Sequence, residues 1–403
     1  MKKYSLHLIA GIFTILMSVT IFNWLINPYD VFAVPEIEGL NRYKVEVLRH
    51  TRLSKVYQVE RIKPEAILLA SSRGLVIPAS YFSDDMMTAF NLALSSASTY
   101  ELLRVFQHAQ ASHPLKRVVL AIDEDFTETR QSNFSEGRLL VDLDGTVNRK
   151  KWLQKMKDSF SSLLSIDALR SSIRTIRMQN YKPGHLDQKK YDYERIIKAG
   201  GHRQMFRTME SSIFYNYQGP VHDCQVSAAE HEVLPGAVNY FERMVSLAYD
   251  NDIDMYIYFS PTHARLYETQ CMIGKWPTIE EMKREVVKVV ENEAKKSGVS
   301  PYPVWDFSGY NMVTTEAVPL ENDRANVMRW YWEGSHYTKK TAKLILDKVF
   351  YNSDVLSDFG VKLTAENIDK HLSDIRDKRD LYLRTNKNDI DELHLLFEDL
   401  RHK

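Results

Sequence analysis

The chain has 403 residues, enough for one large or two ordinary domains with well-buried cores. Lys and Arg total 53, as do Asp and Glu, so no basic excess points to a nucleic-acid partner. No set of His, Cys and carboxylates has zinc-site spacing, and no Walker-type loop or dinucleotide fingerprint occurs, so neither metal nor cofactor is expected.

At the amino end, Lys2 and Lys3 precede an uncharged run over residues 4–29. Its apolar heart, residues 6–26, is about long enough to cross a bilayer at ~1.5 Å per residue. The two lysines predict that this end stays in the cytoplasm and that the rest of the chain lies outside, in the periplasm if the cell is Gram-negative. The expectation is a single-pass anchor in the inner (cytoplasmic) membrane through residues 4–27. A cleavable signal peptide, cut near Val31-Phe32-Ala33, is the competing reading. Cys224 and Cys271 are the only cysteines, and outside the cytoplasm either one disulfide or two unpaired thiols fits.

Beyond the anchor, Val45, Leu48, Leu53, Val56 and Val59 suggest a helical neck. Short apolar runs at 66–70, 88–92, 118–122 and 255–259 read as buried strands, and 303–307 as an edge strand because of Pro303. Between them, Ser98 and Glu101 form a capping box for a helix to about Ser112, and Thr278 with Glu281 suggests a second, closed by Gly298. Helical spacing recurs near 237–248 and 337–351. Strands alternating with helices predict an α/β fold with a parallel sheet of about five strands covered on both faces. Residues 127–234 interrupt the alternation as an insertion or lid, with helical patterns at 152–164 and 167–178. The expected organisation is an anchor over 1–29, a neck over 30–62, a core over 63–126 and 235–352, and a charged helical tail over 353–403.

Ser71 and Ser72 follow the first strand directly, where open α/β sheets place ligands and where a serine backed by N–H groups can act as a nucleophile. The same residues also suit a plain strand-ending turn. Far downstream, Glu333 stands three positions before His336 in W-E-G-S-H-Y. An acid so placed orients one imidazole nitrogen and leaves the other free to activate a hydroxyl. His263 ends the fourth strand, either as a substrate contact or as a hydrogen-bonded structural histidine. Asp306 and Ser308 end the fifth and are expected to anchor the loop carrying Glu333.

The stretches I-L-L-A-S-S-R-G, F-N-L-A-L-S-S-A-S, V-V-L-A-I-D-E-D-F, Y-F-S-P-T-H-A, W-D-F-S-G-Y-N and Y-W-E-G-S-H-Y-T, spread over residues 66–350, resemble the SGNH hydrolase superfamily. Within it the chain is most similar to the membrane-anchored proteins related to alginate O-acetyltransferases and to the D-alanyl transfer protein of teichoic acid synthesis. The resemblance implies a flavodoxin-like sheet with Ser72 as nucleophile, His336 as base and Glu333 as its orienting acid. Ala70 and Glu333 depart from the family's usual glycine and aspartate, and Asp123-Glu124-Asp125 stands where an oxyanion-hole asparagine is expected. Ionised carboxylates cannot donate to an oxyanion, so an oxyanion hole is expected to draw on backbone N–H groups near Arg73 and Ser96 or on Arg73 itself, with Asn91 and His263 as further candidates for oxyanion or substrate contact.

The functional expectation is an extracytoplasmic serine acyltransferase or esterase. It would take an acyl donor and add acetyl groups to, or remove them from, a cell-surface polysaccharide. The acetyl and polysaccharide parts rest on the resemblance. The alternative is a non-catalytic scaffold or polysaccharide-binding component, working with envelope assembly proteins.

Overall fold

The structure, a computed structural model, describes residues 2–84, 86–124, 127–179, 194–217, 219–222 and 235–401. Two compact units emerge. One comprises Met1–Pro64, Arg104–Pro114 and Ser132–Tyr191, and the other Glu65–Leu103, Leu115–Gln131 and Asp192–Lys403.

The second unit is α/β. Its strands are β1 (Ala66–Leu69), β2 (Ala89–Asn91), β3 (Arg117–Ile122), β4 (Asp254–Phe259), β5 (Val304–Asp306) and β6 (Val361–Leu363). They lie in the order β2-β1-β3-β4-β5-β6, the first five parallel and β6 antiparallel to β5. The order 2-1-3-4-5 is that of flavodoxin-like doubly wound sheets, whose strand order reverses beside β1 and β3, and ligands bind off the carboxyl ends at that reversal. Leu68, Val119, Ala121 and Tyr258 share a buried cluster with Ala342, Ile345, Leu346 and Val349 of a helix at Lys339–Tyr351. Residues of the opposite register, Ile67, Leu69, Val118, Leu120 and Ile257, are buried too, so both faces are covered. This double burial is why the strands read as continuous apolar runs rather than alternating ones.

The first unit holds α1 (Lys2–Ile26), α2 (Thr51–Ile62), α4 (Lys151–Leu164) and α5 (Ile166–Arg177), while α3 (Thr99–Ser112) is divided between the units. Helix α1 is long and apolar enough to cross a membrane. Further helices of the second unit include α6 (His202–Tyr215), α7 (Pro235–Asp250), α8 (Ala264–Met272), α9 (Trp276–Ser297), α10 (Lys339–Tyr351), α11 (Ile368–Thr385) and α12 (Lys387–Arg401).

Several local readings change. The 303–307 strand is not an edge: β6, from the charged tail, pairs along its outer side, and Pro303 precedes β5. Helix α9 begins at Trp276, so Thr278 lies inside its first turn and does not cap it, although Gly298 closes it at φ +69° as expected. Ser98 does cap α3, its Oγ accepting from the Glu101 amide at 3.2 Å, but the Glu101 carboxylate accepts from the Gln131 amide at 3.0 Å. Cys271 is disulfide-bonded. The chain's one other cysteine, Cys224, lies outside the described residues, as do 180–193 and 223–234 of the expected insertion.

Candidate active site

Strand β1 is buried at every residue and delivers Ser71 and Ser72 at its carboxyl end, at the strand-order reversal. The chain turns there because Ser71 caps a short 3-10 helix, Ser72–Val76, accepting the Arg73 amide on its Oγ at 3.3 Å. Gly74 permits the tight return, since a Cβ there would collide with the Cβ of Ala70. Ser72 is left half-buried at the first position of the turn.

A second loop supplies its partner. Tyr331 and Tyr337 form an antiparallel bridge, and the Trp332 amide donates to His336 O at 2.9 Å, closing a tight turn over 333–336. Glu333 fills that turn. Its carboxylate accepts the Ser335 amide at 2.9 Å and the His336 amide at 3.0 Å, and it lies in hydrogen-bond contact with His336 Nδ1. Burial alone would raise the Glu333 carboxyl, but His336 and the Ser335 groups outweigh it and hold the carboxyl below its ordinary value. An anion against Nδ1 keeps the proton on that nitrogen and leaves Nε2 to accept. His336 Nε2 lies 2.9 Å from Ser72 Oγ. The serine, imidazole and carboxylate therefore form a continuous relay, with the imidazole 39% exposed and the carboxylate 8%.

The other candidate residues fall elsewhere. His263 is buried, and both its ring nitrogens are committed: Nε2 to the Glu316 carbonyl at 2.7 Å and Nδ1 to the Arg265 amide at 3.2 Å. Burial lowers its pKa to about 4. It caps α8, and its amide donates to Gly334 O at 3.0 Å, so its contact with the site is support for the Glu333 loop from behind. Asn91 Nδ2 bridges the carbonyls of Gly74 and Ile77 at 2.8 Å each, bracing the turn after Ser72. Ser96 sits at φ +49° on the loop after β2, and its carbonyl accepts from Gln131. Asp306 and Ser308 bind Lys283 Nζ, at 2.7 and 2.6 Å, and Asp306 also meets His371, in place of the expected Glu333 loop.

Arg73 is buried and its guanidinium is committed to groups outside the relay. Its guanidinium donates to Glu124 at 2.5 Å and to Thr262 Oγ1 at 2.7 Å, and Thr262 donates in turn to Glu124 at 2.8 Å. Burial opposes the guanidinium charge, but Asp123 and Glu124 outweigh it and hold the pKa above its ordinary value. Asp123 accepts the Ser71 hydroxyl, which distinguishes the two serines: Ser71 serves the acidic pair and Ser72 the histidine. Sequence reasoning missed Thr262 and Ser335, whose Oγ lies 2.9 Å from His336 Nδ1. The place of Ser335 between Glu333 and His336 was the available signal.

A cavity of about 30 Å³ beside Ser71 and Asp123 has room for one water. A cleft of about 470 Å³ lies instead beside Asp306, His371 and Lys370 and includes none of the relay residues. Searches among protein-family models and curated proteins find no match for this chain.

Proposed function

We propose that the protein is a membrane-anchored serine acyltransferase or esterase acting outside the cytoplasm. The observation that carries this reading is Ser72 Oγ at 2.9 Å from His336 Nε2, with Glu333 held against the opposite ring nitrogen. Ser72 Oγ attacks the acyl carbonyl while Nε2 takes the hydroxyl proton. The tetrahedral intermediate expels the donor's leaving group, which receives that proton, and an acyl-Ser72 ester remains. An acceptor hydroxyl, or water, then gives its proton to Nε2 and attacks the ester, and Nε2 returns that proton to the departing Ser72 Oγ. Acetyl as the acyl group, a cell-surface polysaccharide as acceptor and membership of the SGNH superfamily rest on the motif resemblance. The lysines at the amino end of α1 support the outward orientation.

One observation favours a second reading, a non-catalytic scaffold or polysaccharide-binding component. Three carboxylates, Asp123, Glu124 and Glu333, gather at the site, and the Arg73 guanidinium and Asn91 amide are committed to other groups. An oxyanion there depends on backbone N–H groups at the amino end of the Ser72 turn, fewer donors than a rapid hydrolase uses.

The two readings part in one experiment. The full chain is incubated with p-nitrophenyl acetate and its intact mass recorded beside His336→Ala. The enzyme reading expects a one-acetyl increment that the variant loses. A wild type that stays unmodified under conditions that acetylate a known esterase supports the scaffold.

A further inference from the structure

Helices α4 and α5 are built inside out. On α4 the buried residues are Asp158 and Ser162, while Trp152, Leu153, Met156 and Phe160 are exposed, at 60, 44, 62 and 68%. At ~100° per residue those four, with half-buried Leu163 and Leu164, occupy about a third of the helix circumference, and exposed Lys155 and Lys157 flank them on either side. The inward face is polar for a reason: Asp158 accepts from Tyr57 Oη at 2.8 Å and from Arg138 at 2.8 and 3.0 Å. Helix α5 repeats the inversion, burying Ala168, Ser172 and Thr175 and exposing Ile166 at 69% and Ile173 at 38%. A water-facing helix has the opposite arrangement, whereas an apolar face rimmed by lysines is that of a helix lying in a bilayer interface.

The depth of these helices follows from α1. Residues 3–18 of α1 are exposed throughout, and burial begins at Val19. Counted from Tyr4, that exposed part spans about 22 Å at 1.5 Å per residue, short of the ~30 Å hydrocarbon core. The missing ~8 Å falls in the turns from Val19 onward, which α4 and α5 cover. Asn23 marks the contact: its Nδ2 donates to Leu163 O at 2.9 Å, and its Oδ1 accepts from Ser172 Oγ at 2.8 Å. A polar side chain at this depth needs protein partners, and α4 and α5 supply them.

We propose that the α4–α5 pair is a membrane-binding surface, its exposed apolar face seated among the headgroups and upper acyl chains of the bilayer that α1 crosses. Lys155 and Lys157 direct it to anionic headgroups. The inference rests on reading α1 as a membrane span.

Its test is a depth measurement on the full chain in phosphatidylethanolamine–phosphatidylglycerol nanodiscs. Single nitroxide labels are placed through Phe160→Cys, Trp152→Cys and Ile12→Cys, all at exposed positions, while Cys271 is already disulfide-bonded. Collision rates with oxygen, which concentrates in lipid, and with an aqueous nickel chelate give the depth. The proposal expects oxygen collisions to dominate several-fold at Phe160 and Trp152, as at Ile12, and expects that excess to fall in discs lacking phosphatidylglycerol. Nickel-dominated labels at Phe160 and Trp152 beside an oxygen-dominated Ile12 overturn it while leaving the anchor intact. Labels at Phe160 and Trp152 shielded from both reagents mean that a protein covers the face, which also overturns it. A nickel-dominated Ile12 removes the anchor reading itself.

Discussion

The Glu333 carboxylate does two things within four residues of chain: it holds the turn through the amides of Ser335 and His336, and it fixes the imidazole tautomer. Glu333→Gln keeps the side chain's size but removes the anion, and its NH2 faces Nδ1 only by giving up the His336 amide, so the bias toward the tautomer that accepts from Ser72 is lost. The expected outcome is a kcat lowered by about 10³–10⁴-fold with KM little changed, measured with an activated acetyl ester. A fall shared with KM would point to a collapsed turn instead. The spacing of Glu333 and His336 and the strand-end position of Ser72 were legible because each is set by a few neighbouring residues. The choice between Ser71 and Ser72 was not set locally. It depends on Asp123, which reaches Ser71 from the end of β3, 52 positions away.

At the scale of elements, the second unit is held by buried ion pairs. Lys283 of α9 lies 2.7 Å from Asp306 of β5, and His371 of α11 lies 2.9 Å from the same carboxylate. Burial opposes both charges, but each partner outweighs it, so the Asp306 carboxyl is held below its ordinary value and the Lys283 ammonium above its own. A depressed carboxyl contributes stability that is complete above its unfolded value, near 3.9, and is lost as pH falls through the folded one. A raised ammonium contributes below its unfolded value, near 10.4, and loses that contribution as pH rises through the folded one. Asp306→Asn leaves Lys283 buried without its counter-charge and is expected to cost about 3–5 kcal/mol. That deficit, read from denaturant titrations, shrinks as pH falls below about 4, where the wild-type carboxyl loses its contribution. A deficit independent of pH down to about pH 2 would contradict the assignment. Five strands and most helices were visible as apolar periodicity. Strand β6 was not, because it has three residues, two of them exposed, and exists through its pairing with β5. Helix α6 buries Glu210 and His202 beside Phe206 and Phe214, and its acid is satisfied by Arg265 of α8 at 2.9 Å, a partner no local pattern reveals.

For the molecule as a whole, one chain carries an apolar amino-terminal helix and an α/β unit with a serine, histidine and glutamate in register at the sheet's strand-order reversal. The sequence carried the helix through its length and the sheet through its alternation. It also carried α4 and α5 as helices, but not their inversion, because amphipathic spacing is the same whichever face meets the protein. The central claim is that Ser72 is an activated nucleophile. Its most direct test is to treat the full chain with a fluorophosphonate and locate the adduct by peptide mapping, in wild type, Ser71→Ala and Ser72→Ala. The expected result is one adduct on Ser72 that persists in Ser71→Ala and disappears in Ser72→Ala. An adduct on Ser71, or none on a chain whose His336 and Glu333 are intact, would contradict it.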